Sequence, residues 1–341
     1  MALPQRILVI RLSAMGDVAM CVPVLLSLQR DYPSVEMITL SRKRFKPILS
    51  QIPNVTFIEA QVDDIHKGIP GLWKLAKELK ELQPQAIADF HNVLRSKMLR
   101  TFMMGIPNAV INKGRAEKKQ LIETSSFFKP LKHSTERYAD VLRDLGFEMN
   151  LKQDEFLPKR PISAQIHEKI GRNSYKWIGF APFAAHRTKA VGLEKATNIA
   201  QKIAALPNVK LLLFGGGKKE TSDLAQIASS ADNIISLAGN LDFNEELDLI
   251  SNLDAMIAMD SGNGHLAAMY GVPVITLWGN THPYAGFAPY AQPMERQLTV
   301  NRITYPLVPT SIFGNQLVDG YEDITDSIET SRILEELKKL L

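Results

Sequence analysis

Cysteine is almost absent from this chain, Cys21 being the only one in 341 residues. One thiol excludes an intramolecular disulfide and a cysteine-based zinc site, and such scarcity fits a reducing cytosol. A large charge of one sign is also lacking: the net charge of +4 is too mild to argue for nucleic acid as a partner. No apolar run reaches the length of a membrane span. The first 26 residues come nearest to a targeting segment, but Arg11 and Asp17 interrupt them, so the mature chain is expected to begin at or near Met1. HExxH, CxxC and metal-binding spacings of acids are missing, which leaves a metal-independent site as the expectation.

What is present is an alternation of strand and helix. The chain is 45% hydrophobic and longer than one ordinary domain, so two domains with sizeable cores are expected. RILVIRL (6–12) reads as a buried parallel strand, and residues 17–30 carry apolar positions at helical spacing. VEMITL, VTFIE and AIADF continue as strands, with a helix over 71–82 before the last. From 150 to 174 the sequence turns polar and carries Pro158 and Pro161, which marks a linker leading into the helix-like IHEKIGRN. At Trp177 the rhythm restarts, with WIGFAPF, LPNVKLLLFGGG, AMIAMD and VPVITLWG as strands. Helices are expected over 192–205, 219–230, 243–252 and 264–270.

Strand and helix in turn imply right-handed crossovers and parallel sheets covered on both faces. The expected class is α/β, with two doubly wound, Rossmann-like domains over 1–160 and 175–320. They are expected to face each other across a cleft at the carboxyl ends of their strands. An amphipathic helix at 321–341, acidic early and basic late, would close the fold. Basic residues gather in the first 120 positions: Arg42, Lys43, Arg44 and Lys46, then Arg95, Lys97 and Arg100, then Lys113, Arg115, Lys118 and Lys119. They suit either plain solvated surface or a face for a phosphorylated partner or an anionic membrane.

The sharpest motif is AMDSGNGHLAAMYGVPVITLWG (258–279), where an apolar strand ends at Asp260, turns through Ser261, Gly262, Asn263 and Gly264, and enters a helix at His265. Glycines admit close backbone approach and the amides of a helix start attract phosphate oxygens, so the turn suits a diphosphate. It equally suits a tight turn needing positive backbone angles, with Asp260 or Ser261 as a simple N-cap. FGGGKKE (214–220) follows another strand without P-loop spacing; its Gly215 and Gly216 amides, or Glu220 accepting from ribose hydroxyls, suit a nucleoside. In APFAAHRTKAVG (181–192), His186, Arg187 and Lys189 are either exposed loop charges or cleft cations, Lys189 neutralising charge on a leaving phosphate. DFHNVLRS (89–96) puts Asp89, His91, Asn92, Arg95 and Ser96 at a strand end; His91, Asn92 and Arg95, with Arg11 and Ser13, suit an acceptor's hydroxyls and charges. Asp17, just past the first strand, suits a general base for an attacking hydroxyl, or else it or Ser13 caps the next helix.

RLSAMGDV (11–18), DFHNVLRS, HSTERYADVLRDLG (133–146) and DSGNGHLAAMYGVPVITLWGNTHP (260–283) together resemble glycosyltransferase family 9, the heptosyltransferases of lipopolysaccharide core synthesis. The resemblance runs nearly end to end. It implies the GT-B fold and an inverting, metal-independent transfer of heptose or a related sugar. The donor it implies is ADP-heptose, with no further cofactor, and the acceptor a lipopolysaccharide core or similar lipid-linked glycan. Asp17 falls on the family's catalytic base and Lys189 on the lysine that steadies the donor phosphates. Asp260, Ser261, Gly262 and His265 fall on its donor loop. The implied setting is the cytoplasm, with peripheral contact at the inner membrane and no nucleic acid partner. Two rivals share the architecture: a nucleotide-sugar epimerase, which turns over sugar nucleotide without an acceptor, and a catalytically silent nucleotide-sugar-binding protein.

Overall fold

The computed structural model describes residues 3–171 and 175–341. They form two compact units, Met1–Lys113 with His133–Leu157, and Gly114–Lys132 with Pro158–Leu341. The first unit runs β1 (Arg6–Ile10), α1 (Met15–Asp31), β2 (Glu36–Ser41), α2 (Lys46–Leu49), β3 (Val55–Glu59), α3 (Gly68–Glu81), β4 (Ala86–Asp89), α4 (Leu94–Phe102) and β5 (Asn108–Val110). Then α5 (Arg115–Glu123) joins the second unit, and α6 (Ser134–Asp144) returns to the first. The five strands are parallel in the order β3-β2-β1-β4-β5. Ile7, Leu8, Val9 and Ile10 of β1 are all buried, which is why the strand is an unbroken apolar run and not an alternating one. Leu72, Leu75 and Leu79 of α3 and Leu99 of α4 close one core over Leu8 and Ile10.

The second unit continues with α7 (Ala164–Ile170), β6 (Lys176–Ala181), α8 (Leu193–Ala204), β7 (Val209–Leu213), α9 (Lys218–Ala228) and β8 (Ile234–Ser236). After these come α10 (Phe243–Ile250), β9 (Ala255–Met259), α11 (Gly262–Ala268), β10 (Val274–Trp278), β11 (Gln297–Thr299) and α12 (Thr330–Lys338). Its parallel sheet has the order β11-β10-β9-β6-β7-β8. Each unit is thus a doubly wound α/β sheet, as the strand-helix rhythm implies. In each, the strand order reverses beside the first strand, between β1 and β4 and between β6 and β9. Helices diverge to opposite faces there and leave a crevice beyond the carboxyl ends of the strands.

Three boundaries differ from the sequence expectations. The units divide at Leu157 and Pro158, and α7 occupies part of the expected linker, whose residues 172–174 lie outside the described residues, as does the expected start at Met1. Residues 114–132 belong to the second unit and not the first: Leu121 and Leu131 pack on Ala285, and Arg302 lies 3.4 Å from the Phe128 ring centroid. The closing helix is only α12, preceded by a 3₁₀ turn at Ile324–Ser327, and it belongs to the second unit's core through Ile333 and Leu337. The unforeseen strands β5, β8 and β11 have three residues each, too few to show a period. Among the described residues no helix is long and apolar enough to cross a membrane.

Candidate active site

Past β1 the chain enters the crevice between β1 and β4. Arg11 is buried there, its Nη1 donating to the Phe90 carbonyl at 2.8 Å and its Nη2 pairing with Asp17 Oδ2 at 2.6 Å. The guanidinium lies 5.6 Å from the centroid of the Tyr138 ring, which in turn stacks on Phe90 at 4.9 Å. Asp17 stands in the first turn of α1, where Oδ2 also accepts from the amide of the N-cap residue Ala14 at 3.1 Å. Among the described residues, Oδ1 accepts only a long bond of 3.4 Å from the Tyr138 hydroxyl. Burial, with Asp17 and Cys21 nearby and Arg11 opposing, pushes that hydroxyl well above the usual tyrosine value, so it stays a donor. A carboxylate offers about four acceptor positions. Asp17 therefore caps α1 and still keeps room on Oδ1, with its side chain 27% exposed. Ser13 precedes the cap and does not form it.

The DFHNVLRS turn divides into scaffold and rim. Asp89 is fully buried; its Oδ1 accepts the amides of His91 and Asn92 at 2.9 and 2.8 Å, and its Oδ2 pairs with Arg100 Nε at 2.9 Å. Ser96 is buried too and caps α4 at Val93. These two shape the turn and do not line its rim. Asn92 adopts a left-handed φ of 45° and donates to the Ile111 carbonyl at 3.2 Å. His91 Nδ1 accepts from the Leu12 amide at 3.3 Å; burial, then Arg11 and Lys113, lowers its pKa to about 3, so the ring is neutral with its proton on Nε2. Arg95 is exposed, 3.9 Å from Asp63. The crevice thus joins Arg11, Asp17 and His91. Tyr138, from a segment quoted above but without a role assigned, is the residue that sequence reasoning missed. The basic clusters do not form one face of the first unit, because Arg42 and Arg100 pair with acids and Arg115, Lys118 and Lys119 belong to the second unit.

In the second unit, the loops after β6, β9 and β10 meet at the other reversal point. Lys189 Nζ lies 2.9 Å from Asp260 Oδ2, which also accepts from the buried Thr281 hydroxyl at 2.9 Å. Asn280 is fully buried and ties the loops: Nδ2 donates to the carbonyls of Thr188 at 3.2 Å and Tyr321 at 2.8 Å, while Oδ1 accepts from Thr310 at 3.2 Å. The Thr188 hydroxyl bonds the Gly314 carbonyl. Gly314 has φ +71°, and a Cβ there would overlap the Lys189 side chain. The pattern of 303–317 announces none of this; Asn280 and Thr281 fall inside the last family-like motif.

Ser261 is the N-cap of α11, but its side chain accepts no helix amide, and its buried Oγ finds no partner among the described residues. Neither Gly262 nor Gly264 has a positive φ. A Cβ on Gly264 would make only ordinary contacts, 3.4 to 3.5 Å from Pro289, Ala258 and Val274, so neither backbone strain nor lack of space calls for glycine there. His265 is buried in the same short helix. After β7, Glu220 Oε2 accepts the Gly216 amide at 2.9 Å, and Gly215 packs under Leu224 and Glu220, leaving one Glu220 oxygen unused by that loop. Arg187 pairs with Asp323 at 3.0 Å and, with His186, lines a surface cavity of about 210 Å³. Among the described residues no group of three or more His, Cys, Asp or Glu is arranged to hold a metal.

The sequence model of glycosyltransferase family 9 (heptosyltransferase) matches residues 72–310. Lipopolysaccharide heptosyltransferase 2 of Escherichia coli is 26% identical over 99% of both chains. The structure of the E. coli ADP-heptose lipopolysaccharide heptosyltransferase II superposes with a TM-score of 0.69 at 21% identity, covering 98% of each chain. A family 9 glycosyl transferase from Veillonella parvula gives 0.75 at 17% identity over 100% of this chain and 98% of that one. The two doubly wound sheets are those of the GT-B fold.

Proposed function

The chain belongs to glycosyltransferase family 9 and is a glycosyltransferase, and on that premise we propose that it transfers a heptose from ADP-heptose to a lipopolysaccharide core or similar lipid-linked glycan, with inversion and without metal. The observation that carries the reading is Asp17, whose Oδ2 is fixed by Arg11 and Ala14 while Oδ1 is left to take a proton. The acceptor hydroxyl loses that proton to Oδ1 as its oxygen bonds the anomeric carbon. The carbon–oxygen bond to the diphosphate breaks from the opposite face, and its electron pair leaves on ADP.

Lys189 meets the charge that grows on the diphosphate. One of its three N–H groups serves Asp260, and two remain for phosphate oxygens. The Ser261 hydroxyl and the first amides of α11 suit the same oxygens, and the free Glu220 oxygen suits the ribose. Arg11 acts through Asp17, while His91, as a neutral donor, and Arg95 suit the acceptor. The proposed setting is the cytoplasmic face of the inner membrane.

The test is ADP release from ADP-heptose with a lipid-linked core acceptor, in chelator, with the anomeric configuration of the product read by NMR. The reading requires acceptor-dependent release and an inverted linkage. A preference for UDP or GDP sugars removes the heptose assignment, and isomerisation of the donor without acceptor replaces transfer with epimerisation.

A further inference from the structure

Helix α3 and the turn before it carry Ile65, Ile69 and Trp73, exposed by 45%, 62% and 51%. Single exposed apolar side chains are ordinary on a protein surface, but three large ones within nine residues are not scattered. The segment is also held in shape. His66 is buried, accepting the Gln61 amide at Nδ1 over 3.1 Å and meeting Glu78 at Nε2 over 3.1 Å. Gly71 leaves no room for a Cβ against the His66 backbone. Ile65 is therefore presented by a turn pinned to the helix.

Charge tells what such a surface fits. Ile69, Trp73 and Lys77 follow at i, i+4 spacing, and the Lys77 ammonium stands 3.4 Å from the Trp73 ring centroid. Lys67, Lys74 and Lys80 are exposed on the same segment. Of the neighbouring acids, Glu78 meets His66 and stands 4.0 Å from Lys74, and Asp63 pairs with Arg42, leaving Asp64 and Glu81 against Lys67, Lys77 and Lys80. Aromatic and branched apolar side chains ringed by lysines match the headgroup region of an anionic bilayer, where rings sit at the interface and ammonium groups meet lipid phosphates.

We propose that this face of the first unit docks on an anionic lipid bilayer, with Ile65, Ile69 and Trp73 entering the headgroup layer. The α3 N-terminus and the Asp17 crevice both follow strands at the carboxyl end of one sheet, so docking brings that end of the unit to the surface from which a lipid-linked acceptor is drawn. The inference does not depend on the sugar transferred.

Tryptophan fluorescence tests it directly, since Trp177 and Trp278 are buried and Trp73 is the exposed one of the three. Vesicles containing phosphatidylglycerol are expected to float the protein, shift its emission to the blue, and quench it when the lipids are brominated; pure phosphatidylcholine does none of these. Each lysine near the surface adds about fivefold to binding, so Lys74→Glu with Lys77→Glu is expected to lower the partition coefficient by at least about tenfold. Those two changes leave ADP-sugar binding intact, which separates failed docking from misfolding or a wrong donor. Trp73→Phe keeps flotation and loses the spectral shift. Equal binding to neutral vesicles, flotation without a Trp73 signal, or concentration-dependent self-association that buries Trp73 overturns the proposal.

Discussion

The Lys189 ammonium and the Asp260 carboxylate lie 2.9 Å apart at the point where the strand order of the second sheet reverses. Both are largely buried, so their attraction is little screened by solvent, and the Thr281 hydroxyl holds Asp260 in place. Removing either partner strands the other. Lys189→Met is expected to lower kcat/KM by roughly 10²–10³-fold, the cost of one charge-stabilising donor. Asp260→Asn costs less in turnover but weakens donor binding, because the lysine is no longer aimed. A double-mutant cycle measured on kcat/KM should show strong coupling, and additivity would mean the two act separately.

Asp17→Asn preserves the shape that Arg11 and Ala14 grip and removes the proton acceptor. Transfer should fall roughly 10²–10⁴-fold in kcat, as for other lost general bases. Calorimetric affinity for ADP should stay within about twofold, since the residues proposed to meet the diphosphate belong to the other unit. Retention of full activity would remove Asp17 from its assigned role.

Much of this was legible in the chain. The unbroken apolar runs of β1 and β9 announce parallel sheets because burial on both faces leaves no polar alternation. Partners distant in sequence were not legible. Tyr138 lies 121 residues from Asp17, and nothing in a helix over 134–144 says which side chain will reach the first strand's crevice. Residues 114–132 went to the wrong unit because α5 is mostly charged, and its few apolar contacts, such as Leu121 on Ala285, exist only after folding. Asp89 looked like a site residue since a buried carboxylate that holds a turn and one that faces a ligand have the same sequence.

Gly314 is a position where an added methyl group should be felt at Lys189. Its φ of +71° already disfavours any other residue, and a Cβ would press on Lys189. Gly314→Ala is expected to cost about 1–2 kcal/mol of stability from backbone strain. Unlike an ordinary loop defect, it should also raise the KM for the donor several-fold, because Lys189 is displaced. A loss of stability with unchanged donor KM would show that Lys189 finds its place without Gly314.

Glu246 sets a pH dependence that runs opposite to that of the buried histidines. Burial, with the Asp242 charge adding to it, raises the Glu246 carboxyl from 4.5 to about 7. The folded protein then keeps a proton that the unfolded chain releases above pH 4.5, so stability from this group is full below 4.5 and is lost as pH rises through 7. His91 and His282 are both lowered to about 3, chiefly by burial, and they withdraw stability as pH falls below 6.5. Between pH 4.5 and 6.5 the two histidines outweigh Glu246, so for these three groups stability should rise with pH to about 7 and then level off, at most about 1.4 kcal/mol per pH unit for each group. Glu246→Gln should match the parent at pH 5 and exceed it at pH 8 by up to about 2 kcal/mol in denaturant titrations. An equal effect at both pH values would mean that Glu246 is ionised in the folded protein throughout and that its burial is relieved by solvent.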